Sequence, residues 1–184
     1  MELNDIDLVT LAKAARGSAA FETLVRRHNP ALRAFLLRMT SDAALADDLA
    51  QEAFLKAYRG IEGFRGGSSF RSWLFAIAMR EAQMARRKDA ARLRLANASP
   101  GEDVAAPAEF SIDLQRALLT LSDEERAAAL LCDAAGFSHA EAANAMAAPL
   151  GTVKTLVARA REKLRAAMSV EEDGNGAENG AACA

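Results

Sequence analysis

The sequence predicts an all-α fold of two small helical domains joined by a flexible linker, on three observations. Much of the apolar half of the chain is alanine, whereas Val and Ile are few and aromatics make up only 5%. Alanine favours helix and β-branched residues favour strand. Apolar residues recur three or four apart through two blocks, as on one face of a helix. Between them the periodicity collapses into Asn97-Ala98-Ser99-Pro100-Gly101-Glu102-Asp103 and onward to Pro107, where Pro and Gly interrupt helix. A first domain is therefore expected over 1–94, a linker over 95–110, a second domain over 111–168 and a disordered acidic tail over 169–184.

Each element follows from local pattern. Phe21, Leu24 and Val25 begin an apolar stripe that Leu32, Phe35, Leu36 and Met39 continue beyond Pro30. A second amphipathic helix runs from Asp47 to Tyr58. Gly60, Gly63, Gly66 and Gly67 mark a loop in which Phe64 and Phe70 are embedded. A third helix starts near Ser69 and passes Trp73, Leu74 and Ile77 into Arg86-Arg87-Lys88. In the second block, Ser122 and Ser138 are each followed three residues later by a glutamate, the capping-box pattern. A short small-residue helix follows Ser138 and ends before Pro149. A basic helix then opens at Gly151 and runs to about Met168. Such a pair reads as a helix-turn-helix.

The basic helix carries the clearest chemistry. Val153, Leu156, Val157, Ala160 and Leu164 form its apolar stripe, while Lys154, Arg159, Arg161, Lys163 and Arg165 lie largely off it. At 1.5 Å per residue it is roughly 25 Å long, so its first turn can enter a major groove while later residues meet phosphates. A solvated face of ordinary Lys and Arg is the competing reading.

Other classes are disfavoured. The formal net charge of −2 argues against a simple basic coat protein. No apolar run approaches the roughly 18 residues of a membrane span, so no membrane insertion is expected. The acidic start, Met1-Glu2-Leu3-Asn4-Asp5, lacks a signal core, and a cytoplasmic location is expected. Cys132, Cys183, His28 and His139 have no metal-ligand spacing, and no nucleophile–base pair or phosphate-binding loop appears. Neither a metal, a cofactor nor an enzymatic activity is expected.

At this level of detail the chain resembles a bacterial RNA polymerase sigma factor of the sigma-70 family, extracytoplasmic-function type. Asp48-Leu49-Ala50-Gln51-Glu52-Ala53-Phe54 is similar to that family's polymerase-binding segment, D-L-x-Q-E-x-F. The run from Phe64-Arg65-Gly66 through Phe70-Arg71-Ser72-Trp73-Leu74 to Ile77-Ala78 resembles its promoter-melting segment. Gly136-Phe137-Ser138, Glu141-Ala142-Ala143, Gly151-Thr152-Val153-Lys154 and Arg159-Ala160-Arg161 resemble its −35-reading helix-turn-helix.

The resemblance implies a promoter-specificity subunit that binds core RNA polymerase at the β′ clamp and β flap, recognises promoter DNA and melts it, in a stress or envelope response. It implies polymerase contacts from Asp47, Asp48, Gln51 and Glu52, with Leu49 and Phe54 packing that helix. Contacts to the −10 element are implied for Phe64, Arg65, Ser68, Ser69, Arg80, Arg86, Arg87 and Lys88, and to the −35 element for Thr152, Lys154, Thr155, Arg159 and Arg161. Trp73 is expected mainly in the core, and an anti-sigma factor is expected as a regulatory partner. Arg80 stands where the family commonly has Asn, Met84 where Asp is frequent, Leu156 where an Arg often follows, and Ala147 where a turn glycine is common. These differences imply a promoter sequence unlike the commonest one. A stand-alone helix-turn-helix regulator, or a sigma-like adaptor that does not engage polymerase, is the alternative, and the Gln51-Glu52 segment separates them.

Overall fold

A computed structural model of the chain describes residues 3–14, 19–95 and 112–174, and every regular element within them is helical. The expected linker falls outside these residues, apart from Leu95 at the end of a helix.

The first domain holds α1 (Asp5–Ala14), α2 (Ala19–Thr40), α3 (Ala43–Gly60) and α4 (Phe70–Leu95), with one 3₁₀ turn at Ile61–Gly63. Asn4 caps α1, its Oδ1 accepting from the Asp7 amide at 3.0 Å. Helix α2 continues through Pro30, as the apolar stripe implies. Pro30 lies on the exposed face, where a carbonyl deprived of its helical partner is left to water. Ser41 then adopts a left-handed φ of 59°, and its amide closes on the Leu37 carbonyl at 2.8 Å. Asp42 immediately caps α3, accepting from the Leu45 amide at 3.0 Å. This tight turn lays α3 back along α2.

The second domain holds α5 (Ile112–Leu119), α6 (Asp123–Ala129), α7 (His139–Met146) and α8 (Leu150–Gly174). Both expected capping boxes form, at Ser122–Glu125 and Ser138–Glu141. Helix α6 widens into a π turn over Leu130–Ala134, closed by the Ala135 amide on the Leu130 carbonyl at 2.8 Å. Helix α8 continues past Met168 to Gly174, and the remainder of the expected tail lies outside the described residues. No proline or glycine interrupts the chain before Gly174, and extending a nucleated helix costs little.

The two domains share one core. Phe137, just before α7, packs on Phe75 of α4 with ring centroids 5.0 Å apart, and Phe75 also meets Phe35 of α2 at 5.3 Å. Arg71 lays its guanidinium 4.3 Å from the Phe137 ring centroid and donates to the Ala135 carbonyl. Arg126, 3% exposed, caps two helix ends at once. It donates to the Leu118 carbonyl at the end of α5 (2.8 Å) and to the Met39 carbonyl at the end of α2 (3.3 Å).

Candidate nucleic-acid and polymerase interfaces

Three surfaces gather the residues singled out above. On α3, Asp47, Asp48 and Gln51 are exposed and Glu52 is half-buried, within little more than one turn. Leu49, Ala50, Ala53 and Phe54 are buried on the opposite side, so packing dictates that the acidic row faces outward. Asp47 receives Arg33 of α2 at 2.5 Å, and Lys56 lies 3.7 Å from Glu52 and 2.6 Å from Glu81 of α4. The hydrogen bond that Lys56 donates to the Glu81 carboxylate holds its ammonium above its ordinary pKa. Beside this row runs an apolar groove of about 530 Å³ between α2 and α3, lined by Phe21, Val25, Phe54, Leu55 and Tyr58. Periodicity alone does not reveal it, because the groove forms only where two helices meet.

The second surface is the loop before α4 and the outer face of that helix. Phe64 is buried against Trp73 (5.1 Å between centroids) and Phe70 (6.1 Å), and the Trp73 ring is half-buried in this cluster as expected. The Phe64 side chain therefore anchors the loop and does not face outward. Ser69 is occupied as the cap of α4, its Oγ accepting from the Ser72 amide at 3.1 Å and donating to Ser72 Oγ at 2.9 Å. Arg65 is exposed and Ser68 half-buried at the rim, and Gly66 takes a φ of 73° that L side chains rarely adopt. Arg80, Arg87 and Lys88 project from α4 into solvent. Arg86 is instead ion-paired with Asp123 at the start of α6.

The third surface is α8. Val153, Val157 and Ala160 are buried, and Leu156 and Leu164 are half-buried against the core. Thr152, Lys154, Thr155 and Arg159 are exposed, with Thr152, Thr155 and Arg159 on one face. The Thr155 hydroxyl donates to the Gly151 carbonyl at 3.0 Å. Arg161 is held by Asp133 through two bonds of 3.1 and 2.5 Å. Lys163 reaches Glu125 at 2.7 Å, pinning α8 to α6. That bond, with the capping bonds from Ser122, keeps the Glu125 carboxyl below the ordinary carboxylate range. Between α7 and α8, Ala147 sits at φ 50°, ψ 40°, the left-handed conformation that favours the glycine it replaces.

Comparisons with known proteins agree with this layout. Residues 24–92 match the Sigma-70 region 2 family and residues 111–164 match Sigma-70 region 4. The chain is 37% identical over 166 residues to the ECF RNA polymerase sigma factor SigM of Mycobacterium tuberculosis, covering 89% of this chain and 84% of that protein. The chain belongs to the extracytoplasmic-function sigma factors. It is a promoter-specificity subunit whose region 2 match falls on α2–α4 and whose region 4 match falls on α5–α8. Among solved structures, the sigma factor RpoE of Bartonella quintana in complex with the anti-sigma factor NepR superposes with a TM-score of 0.75 at 33% identity, over 83% of this chain and 99% of that one. CnrH in complex with the cytosolic domain of CnrY superposes at 0.70 with 28% identity, over 90% and 97%.

Within this sigma factor, Arg71 and Arg126 escape sequence reasoning, since both resemble ordinary basic surface residues. The one available hint is that Arg71 sits between the buried Phe70 and Ser72. Of the family departures, Met84 and Arg80 are both exposed. Leu156 instead joins the packed stripe, so an apolar residue there strengthens the attachment of α8. No described helix is long and apolar enough to cross a membrane.

Proposed function

We propose that this sigma factor docks on core polymerase through the acidic face of α3, reads the −35 element with the first turns of α8, and captures the −10 strand with the 63–69 loop and the outer face of α4. The observation that carries the reading is the division of labour on α8. One side is packed against α5, α6 and α7, which leaves Thr152, Thr155 and Arg159 in one outward row, with Lys154 exposed beside it, to enter a major groove. The acidic row of α3 beside an apolar groove suits a basic, partly apolar helical partner such as the β′ clamp. Exposed Arg80, Arg87 and Lys88 suit the phosphates of a separated strand. Ser69 and Phe64 act as cap and anchor of the loop, and Arg65 and Ser68 are its outward contacts. Binding the exposed strand offsets the few kcal/mol needed to open a duplex step.

Such a protein works in the cytoplasm and carries no chemistry of its own; nucleotide addition belongs to the polymerase. One structural neighbour was solved with the anti-sigma factor NepR and another with the cytosolic domain of CnrY, which supports an anti-sigma partner for this chain and a role in a stress or envelope response.

The test is reconstitution with core polymerase. The double variant Gln51→Ala/Glu52→Ala changes only side chains outside the core and is expected to weaken core binding by about tenfold, or 1.4 kcal/mol, with the thermal melt unchanged. Wild-type protein should give promoter-specific run-off transcripts. Unchanged core affinity in the variant together with no specific transcript from wild type would return the chain to a stand-alone regulator.

A further inference from the structure

Helix α1 lies outside the region matched to Sigma-70 region 2, which begins at residue 24. It nevertheless forms one wall of a cleft of about 840 Å³ whose other wall is the 63–69 loop. That volume is in the range of small-ligand sites, roughly 300–1,000 Å³. Lys13, in the last turn of α1, donates from Nζ to the Phe64 carbonyl at 2.6 Å across the mouth of the loop. The loop is glycine-rich and is held at one end by the Phe64 ring and at the other by the Ser69 cap. A charge-assisted bond to the Phe64 carbonyl thus supplies a third anchor, from an element remote in sequence.

The α1 wall is chemically suited to a base edge. Asn4 uses its Oδ1 on the Asp7 amide, which leaves its NH₂ to donate. Thr10 donates to the Ile6 carbonyl at 2.8 Å, which leaves its oxygen to accept. Asp5 would repel a phosphate if its charge were open, but both oxygens are committed. Oδ1 takes Arg27 at 2.7 Å and Oδ2 takes His28 Nε2 at 2.8 Å. His28 is buried, and burial, reinforced by the nearby Arg71 and Arg27 charges, holds its pKa below the usual value despite Asp5. The carboxylate can only accept, so the ring presents Nε2–H to it.

We propose that α1 is the second wall of the base-reading cleft, that Lys13 is the positioning residue fixing the reading loop, and that Thr10 and Asn4 contact the captured base of the displaced strand. This rests on the reading of the 63–69 loop as the −10 reader. The partner is a single unstacked nucleotide, recognised on its hydrogen-bonding edge.

The experiment uses the full chain bound to core polymerase and a set of fork-junction promoters with each of the four bases at each −10 position. Lys13→Met is expected to reduce discrimination between the best and worst base by about tenfold, the scale of one charge-assisted hydrogen bond. Core affinity and −35 duplex affinity should not change. Lys13→Arg, which can still reach the carbonyl, should restore most of the discrimination, a rescue that general destabilisation does not produce. Thr10 is exposed, so Thr10→Val leaves the fold intact and should alter preference at one −10 position only. Arg65→Ala/Ser68→Ala serves as the loop control. If it lowers discrimination while Lys13→Met and Thr10→Val do not, α1 has no part in reading and the inference falls. If the loop variant also leaves discrimination intact, the −10 role of the loop itself falls with it.

Discussion

The two domains are held together by different means. In the first, large side chains do the work: Phe35, Phe75, Leu24, Leu32, Leu36, Leu37, Met39 and Leu74 are each less than 2% exposed or close to it. In the second, the core is mostly alanine, with Ala127, Ala128, Ala142, Ala145 and Ala160 buried around Val153, Val157 and Leu131. Small side chains bring helix backbones close but bury little area each, so hydrophobic transfer contributes less per residue. The second domain compensates with polar devices: two capping boxes, the Lys163–Glu125 pair and the buried Arg126. A domain held by caps and ion pairs fixes α8 on its neighbours without a deep core. A domain held by aromatic packing can present loops and long helical faces to its partners.

This contrast can be broken or sharpened by substitution. Phe75→Ala removes a ring that touches Phe35 in its own domain and Phe137 in the other. It should destabilise by about 3–5 kcal/mol, read as a lower urea midpoint that loosens both domains together. Arg126→Met keeps most of the volume but strips the caps from the ends of α5 and α2. A loss of about 2–3 kcal/mol is expected, chiefly in the second domain. A neutral or stabilising outcome by chemical denaturation would mean that its core tolerates apolar filling after all. The smallest effect is a gain. Ala147→Gly relieves a left-handed alanine and should raise stability by about 0.5–1 kcal/mol in a thermal melt.

Much of the first level of organisation was legible before any coordinates. The stripe through Pro30, the capping boxes at Ser122 and Ser138, the break at Pro149 and the outward row on α8 are local, depending on residues within about one turn of each other. The exposed positions of Asp48, Gln51, Arg80, Lys154 and Arg159 follow from the same periodicity, because each lies opposite an apolar stripe. Phe64 was legible as part of a motif but not as an anchor, since its ring partners Phe70 and Trp73 come together only when the loop folds back on α4.

Periodicity and cap chemistry therefore determined the helices, their faces and the two blocks, because these depend on neighbours a few residues apart. Only the tertiary structure decided which charges are spoken for. Arg71 meets Ala135, Arg126 meets Met39, Lys13 meets Phe64, Arg86 meets Asp123 and Arg161 meets Asp133. Each pair joins residues far apart in the chain. In sequence, a basic residue bound to a distant carbonyl or carboxylate looks the same as one free to bind DNA. Packing brings the partner into reach, and that turns some basic residues into struts and leaves others exposed to solvent.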